Sequence, residues 1–286
     1  MIRGYMDTNV FGDFAEGTLP AKDFQKLKSS VKAGKLQIVY SMSLMDEQAG
    51  HCIRKPWGKK AAQMAFDICY HPPARFHVEI LSDEIVAVLD GKPPADILMD
   101  AGKSDTKDFE KNWKILAANP FSIKPWIQKF AQQEVSNQNR FDQGFKDAKA
   151  EIEKLREDGK KKFPFTFLEW RAKELKDPVL YKSLTETALR HAGRPESDSL
   201  KLLATLDQTK AFRMYLDVHL AYTYSVYEYK ISLKRSFSKD LLHSLYANCC
   251  EFFVTQDEGF RKVMELVPPE KRCKVYSWST FAGTLE

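Results

Sequence analysis

Four acidic residues stand where a chain can put carboxylates to chemical use. Asp7 closes a strand-like run in YMDTNVF, and Asp257 follows another in FFVTQDEGF. Glu47 in SMSLMDEQAG and Asp240 in SKDLLHSLYA fall in the first turns of helix-like segments. Taken singly, each has a plain structural role. A carboxylate in a first helical turn stabilises by about 0.3–1 kcal/mol through the helix dipole, and Asp46 and Asp257 suit helix caps. Drawn together, the four would repel and raise one another's pKa unless a cation neutralised them. Hard divalent cations, Mg²⁺ or Mn²⁺, prefer such oxygen donors, and their usual task is to position phosphate and activate water.

The elements around these acids have the alternation that could gather them. Residues 2–6 read as a short strand, with Thr8 or Asn9 able to cap the helix that follows. KDFQKLKSSVKAGK reads as an exposed helix stopping at Gly34, and LQIVYSMS as a buried parallel strand. Ser43 and Asp46 have the spacing of a capping box. From residue 237 the texture returns: Ser238 can cap a helix carrying Asp240, Leu241, Leu245 and Tyr246. EFFVT is a strand, Asp257 opens a helix through Leu266, and KRCKVYSW is a last strand candidate. Strand alternating with helix is the α/β signature. In an open parallel sheet, ligands bind beyond the carboxyl ends of the strands, where acids at strand ends and helix starts would meet. The expectation is an α/β parallel-sheet domain built from residues 1–50 and 237–286, with 51–236 as a mostly helical inserted lobe.

Within that middle, RFHVEIL suggests one extra strand near residues 76–81, and GKPP at 91–94 marks a loop. Helical spacing dominates afterwards, ending in a long element from about Leu206 to Arg235. Its stripe of Phe212, Tyr215, His219, Tyr222, Val226, Tyr229 and Leu233 lies on one helical face. Such a stripe serves a core more often than it stacks bases. AGKS at 101–104 lacks the upstream glycine of a phosphate loop, since position 97 is Ile97.

The order YMDTNVF, SMSLMDE, DLLHSLYA, FVTQDEGF resembles the PIN-domain family of metal-dependent nucleases, a fold also used by toxin nucleases of bacterial toxin–antitoxin pairs. The likeness covers about the first 50 and last 50 residues. It implies hydrolysis of a phosphodiester, in RNA, with Asp7, Glu47, Asp240 and Asp257 as catalytic metal ligands for Mg²⁺ or Mn²⁺. Asn9 and Thr255 would orient those ligands, and Lys234, Arg235 and Lys239 would touch substrate phosphate. Where some members carry a second Asp three residues after the helix-opening one, this chain has His243, which leaves the number of metals open. A DNA substrate, or a non-catalytic nucleic-acid- or protein-binding module on the same fold, are the alternatives. The implied partners are RNA and a protein inhibitor of the antitoxin kind, and self-association stays open.

Composition sets wider bounds. Forty-three per cent apolar residues in 286 supply a sizeable core and exclude disorder throughout the chain. The net charge of +5 is compatible with a nucleic-acid partner without requiring one. Five cysteines without C-x-x-C spacing argue against a zinc knuckle and a disulfide framework, so a reducing cytoplasm is expected. No apolar run suits a membrane span, and the N-terminus offers no apolar signal core.

Overall fold

The structure is a computed structural model that describes residues 1–70, 77–93, 111, 114, 165–229 and 237–285. Five strands form one sheet: β1 (Ile2–Met6), β2 (Leu36–Val39), β3 (Cys69–Tyr70), β4 (Phe252–Val254) and β5 (Lys274–Tyr276). Their order is β3-β2-β1-β4-β5, and every pairing is parallel. β1 at the centre pairs Tyr5 with Val39 on one side and with Phe253 on the other. β2, β4 and the end of β1 are buried because helices cover both faces of the sheet, while β5 at one edge is partly exposed.

The period-two alternation of the strands separates two cores. Tyr5, Val39 and Phe253 face one of them, and Met6, Ile38, Phe252 and Val254 face the other. The second face is covered by α1 (Thr8–Glu16), α2 (Ala21–Lys32), α3 (Met42–Arg54) and α4 (Gly58–Ile68), with Phe11, Phe14, Leu44 and Ala62 fully or nearly buried. Gly4 lies on this face beside Phe252. A Cβ at position 4 would stand 2.0 Å from the Phe252 ring, so the ring packs directly on β1 backbone and only glycine fits.

The first face is covered by α5 (His77–Leu89), α6 (Phe167–Lys176), α7 (Leu180–His191), α8 (Ser199–Ala204), α9 (Ala211–Tyr229), α10 (Phe237–Ala247) and α11 (Glu258–Leu266). A last short helix, α12 (Trp278–Ala282), returns to the opposite core through Trp278 and Phe281. α9 is anchored by a buried carboxylate from another helix. Glu84 of α5 accepts the backbone N–H groups of Lys210, Ala211 and Phe212, three donors that open α9 without partners of their own.

Several sequence expectations need correction. The segment expected as a strand near 76–81 enters helix α5, where Ile80, Ile85, Val88 and Leu89 are buried at helical spacing. Read only to Leu81, the apparent alternation hid that longer period. The strand that this stretch does contribute is the two-residue β3, at one edge of the sheet. The described helices of 51–236 are not a lobe standing beside the sheet: α4 and α5 to α9 are parts of the two layers that cover it. Trp113, Trp126 and Phe130 of that stretch lie outside the described residues. Ser41 rather than Ser43 caps α3, its Oγ accepting the Leu44 N–H at 3.1 Å. Asp7, not Thr8 or Asn9, takes the N-cap position of α1, yet its side chain makes no capping bond.

The topology places a site. From β1 the chain moves outward through β2 to β3, then returns to lay β4 on the other side of β1 and β5 beyond it. The connections therefore reverse direction between β1 and β4. In doubly wound sheets this reversal opens a crevice at the carboxyl ends of the two strands. Asp7 follows β1 directly, and Thr255 follows β4. Among the described residues, no helix is long and apolar enough to cross a membrane. None of the five cysteines forms a disulfide.

Candidate functional site

Asp7 is fixed by the two strands that flank the crevice. Its backbone N–H donates to the Val254 carbonyl at 2.9 Å, which carries the β1–β4 pairing up to the site. Its carboxylate turns away from the helix it precedes because other donors hold it. Oδ2 accepts the Thr255 hydroxyl at 2.7 Å and the Asn9 side-chain amide at 2.8 Å. Asn9 Oδ1 accepts the Gln256 N–H at 3.1 Å, so Asn9 ties the start of α1 to the end of β4. Thr255 Oγ1 also accepts the Asp257 N–H at 3.0 Å. The two residues expected to orient ligands thus both hold Asp7.

Glu47 comes from one turn inside α3, whose start Ser41 fixes. It accepts a short hydrogen bond from the Thr8 hydroxyl. Lys239 Nζ stands 3.8 Å from its Oε1. His243 lies one turn beyond Asp240 in α10, on the same helical face. Its imidazole is buried, with Nε2 3.2 Å from Glu47 Oε2 and 4.0 Å from Asp7 Oδ1. The Asp7 oxygen is beyond hydrogen-bond reach, and the Glu47 contact is an ion pair that falls short of a directed hydrogen bond. Nδ1 meets the Tyr5 hydroxyl at 2.8 Å, and that hydroxyl meets Ser41 Oγ at 2.6 Å. One ligand atom each from Asp7, Glu47 and His243 lies within 4.8 Å of the others.

Asp240 is buried beside this group and accepts a short hydrogen bond from the Tyr222 hydroxyl of α9. Tyr222 is therefore a core residue with a polar end at the site, and its ring stacks on Phe260 at 6.3 Å. Asp257 caps α11, its Oδ1 accepting the Phe260 N–H at 2.9 Å. Neither Asp240 nor Asp257 is a member of the close Asp7–Glu47–His243 group. Asp240 bears on its electrostatics by helping to raise His243, and Asp7 and Asp257 each add to the proton affinity of Asp240. Of the three expected substrate-binding cations, Lys239 stands beside Glu47, while Lys234 and Arg235 lie outside the described residues.

Burial and mutual repulsion shape the titration of the group. Burial raises the Asp7 carboxyl, the His243 charge opposes that, and the Glu47 charge adds to it. Burial pushes Asp240 up to about 7, against the Tyr222 hydrogen bond and with help from the Asp7 charge. Glu47 goes the other way. Burial works to raise it, but the His243 charge and the contacts with His243, Lys239 and Thr8 bring it down to about 2. Burial likewise works to lower His243, and the surrounding carboxylates, Glu47 first, outweigh it and hold the imidazole at about 9. The carboxylates thus favour the charged form of the imidazole, beside the Lys239 ammonium.

The donor set also suits a divalent ion. Two carboxylates and an imidazole converge, and the one buried ring nitrogen aimed at them lacks a directed partner. His243 was not among the ligands expected from the sequence. The signal that identifies it is its i, i+3 relation to Asp240. Tyr5 has no such signal, because a tyrosine in a central strand reads as core. Comparisons of the chain with protein-family models, with curated proteins and with solved structures return no match.

Proposed function

We propose that this chain is a Mg²⁺- or Mn²⁺-dependent phosphodiester hydrolase acting on RNA, on a PIN-like nuclease fold. One observation carries the reading: Asp7, Glu47 and His243 bring ligand atoms within 4.8 Å of one another at the carboxyl edge of β1 and β4. The sequence resemblance to PIN-domain nucleases supports it independently. Asp7 and Glu47 would hold the metal, with Asp240 and Asp257 adding negative charge around it. When bound, such an ion lowers the pKa of an attacking water and offsets charge on the phosphate. Thr255 and Asn9 keep Asp7 Oδ2 occupied, which turns Oδ1 toward His243 and the crevice. Thr8 orients Glu47. Lys239, half-exposed beside Glu47, is placed to meet a phosphate oxygen.

The test is cleavage of end-labelled single-stranded RNA and DNA with Mg²⁺ or Mn²⁺, against an EDTA control. Metal-dependent cleavage of RNA, abolished in Asp7→Asn, is expected. Failure to cut any RNA at millimolar Mn²⁺ would overturn the reading. One observation favours a second reading. The His243–Glu47 ion pair already balances part of the acidic charge, as suits a binding module that needs no metal. Retarded RNA migration with no cleavage, unchanged by EDTA, would select it.

A further inference from the structure

We propose that His243 is itself a metal ligand through Nε2, making this a mixed carboxylate–imidazole site that prefers Mn²⁺ or Co²⁺ over Mg²⁺. The inference rests on the metal-binding half of the reading above and not on the reaction. Geometry is the first argument. Donors sharing one ion at ~2.1 Å stand about 3.0 Å apart at a right angle and about 4.2 Å apart when opposite. Nε2 lies 3.2 Å from Glu47 Oε2 and 4.0 Å from Asp7 Oδ1, both inside that window.

The second argument is how the ring is held. A ligating histidine characteristically gives its other ring N–H to a fixed acceptor, which sets the tautomer and the ring plane. Here Nδ1 meets Tyr5 OH at 2.8 Å, and Tyr5 OH meets Ser41 Oγ at 2.6 Å. With Nδ1–H donating to the Tyr5 oxygen and Tyr5 O–H donating to Ser41, the Nε2 lone pair faces the carboxylates. Tyr5 lies in the central strand, stacked between Tyr246 and Phe253, and Ser41 is fixed at the start of α3. Tyr5 is thus a positioning residue for His243. The third argument is what Nε2 lacks: it is buried, aimed at the group and without a directed hydrogen bond.

The metal preference follows from donor type. Mg²⁺ favours oxygen and sheds water reluctantly, whereas an imidazole nitrogen suits the transition series. Along that series Co²⁺ binds a given nitrogen–oxygen site more tightly than Mn²⁺.

The deciding measurement is pulsed EPR of Mn²⁺ bound to the EDTA-treated full chain. Imidazole nitrogen coupling to the ion is expected, and it disappears in His243→Gln. Calorimetric titration should show Co²⁺ binding at least ~10-fold more tightly than Mg²⁺, with His243→Gln removing most of that advantage. Tyr5→Phe should weaken Co²⁺ about 10–100-fold while far-UV circular dichroism stays native. Bound Mn²⁺ without nitrogen coupling in the unmutated protein would overturn the proposal, even if RNA is cleaved. Nitrogen coupling in a protein that cuts neither RNA nor DNA would sustain it and sink the nuclease reading instead. Because the first measurement needs no variant, a His243→Gln chain that fails to fold leaves the decision intact.

Discussion

Replacing Asp240 by Asn should stabilise the metal-free protein at pH 8 and leave it nearly unchanged at pH 4. The folded Asp240 carboxyl is held at about 7 by burial, with Tyr222 opposing and the Asp7 charge adding. In the unfolded chain the same group titrates at ~3.9. A folded carboxyl that holds its proton more tightly than the unfolded one contributes stability that is complete below the unfolded value. That contribution is lost as pH rises through about 7. At ~1.4 kcal/mol for each tenfold change in proton affinity, the loss across the window is at most ~4 kcal/mol. Asparagine has no proton to lose, so the variant should not show this decline. Its amide oxygen still accepts the Tyr222 hydroxyl, so that buried bond survives the change. His243, held at about 9, titrates in both proteins and largely cancels in the difference. Urea unfolding in EDTA at pH steps from 4 to 8, followed by circular dichroism, measures the gap directly. Parallel stability profiles for the two proteins would refute the argument, as would a variant less stable than the parent at pH 8.

Three further outcomes are expected. Asp257→Asn should leave stability almost unchanged, because Asn caps α11 nearly as well as Asp, while Mn²⁺-dependent RNA cleavage falls sharply; cleavage at the parent rate would remove Asp257 from the site. Mn²⁺ at a hundred times its Kd should add ~2.7 kcal/mol to the native state and raise the melting temperature by about 5 °C or more; an unshifted scanning calorimetry trace at millimolar Mn²⁺ would count against metal binding. Tyr222→Ala should cost about 3–5 kcal/mol in urea unfolding, as truncation of a buried ring does, and Tyr222→Phe about 1 kcal/mol by removing one buried hydrogen bond to Asp240. Tyr222→Ala with full stability would mean that the ring is not core.

What could be read from the sequence, and what could not, follows the range of the forces involved. β2 and β4 announce themselves as short apolar runs, since a parallel strand in the middle of a sheet is buried on both faces. Asp257 as the cap of α11 is equally local, three residues from the N–H it accepts. The two-residue β3 carries no signal of its own, because its pairing with Ile38 and Val39 makes it a strand. α5 looked extended while its window was cut before Ile85. In the site, Asp7 and Thr255 were legible because each directly follows a strand, and Asn9 because it stands two residues on from Asp7 in the motif that carries the resemblance. The Tyr5–His243 contact joins residues 238 positions apart, and Tyr222 reaches Asp240 across two packed helices. Neither partnership leaves a local pattern, so His243 stayed outside the ligands expected from the sequence.

The balance of charge is the strongest argument that the site is more than an ion pair. A structural pair needs one acid for each base. Here Asp7, Glu47 and Asp240 face one buried imidazole and one half-exposed lysine, with Asp257 close enough to raise Asp240 further. The chain alone meets that surplus by protonation, holding Asp240 at about 7 and lifting Asp7 as well. A buried carboxyl kept neutral is a weak stabiliser, and an apolar side chain of similar volume would serve a core better. Two acids lifted in this way at the carboxyl edge of β1 and β4, where a doubly wound sheet binds its ligands, make sense if their full charge is needed when something else is bound. A divalent cation matches that surplus with one ion, and it would let Asp7 and Asp240 ionise together.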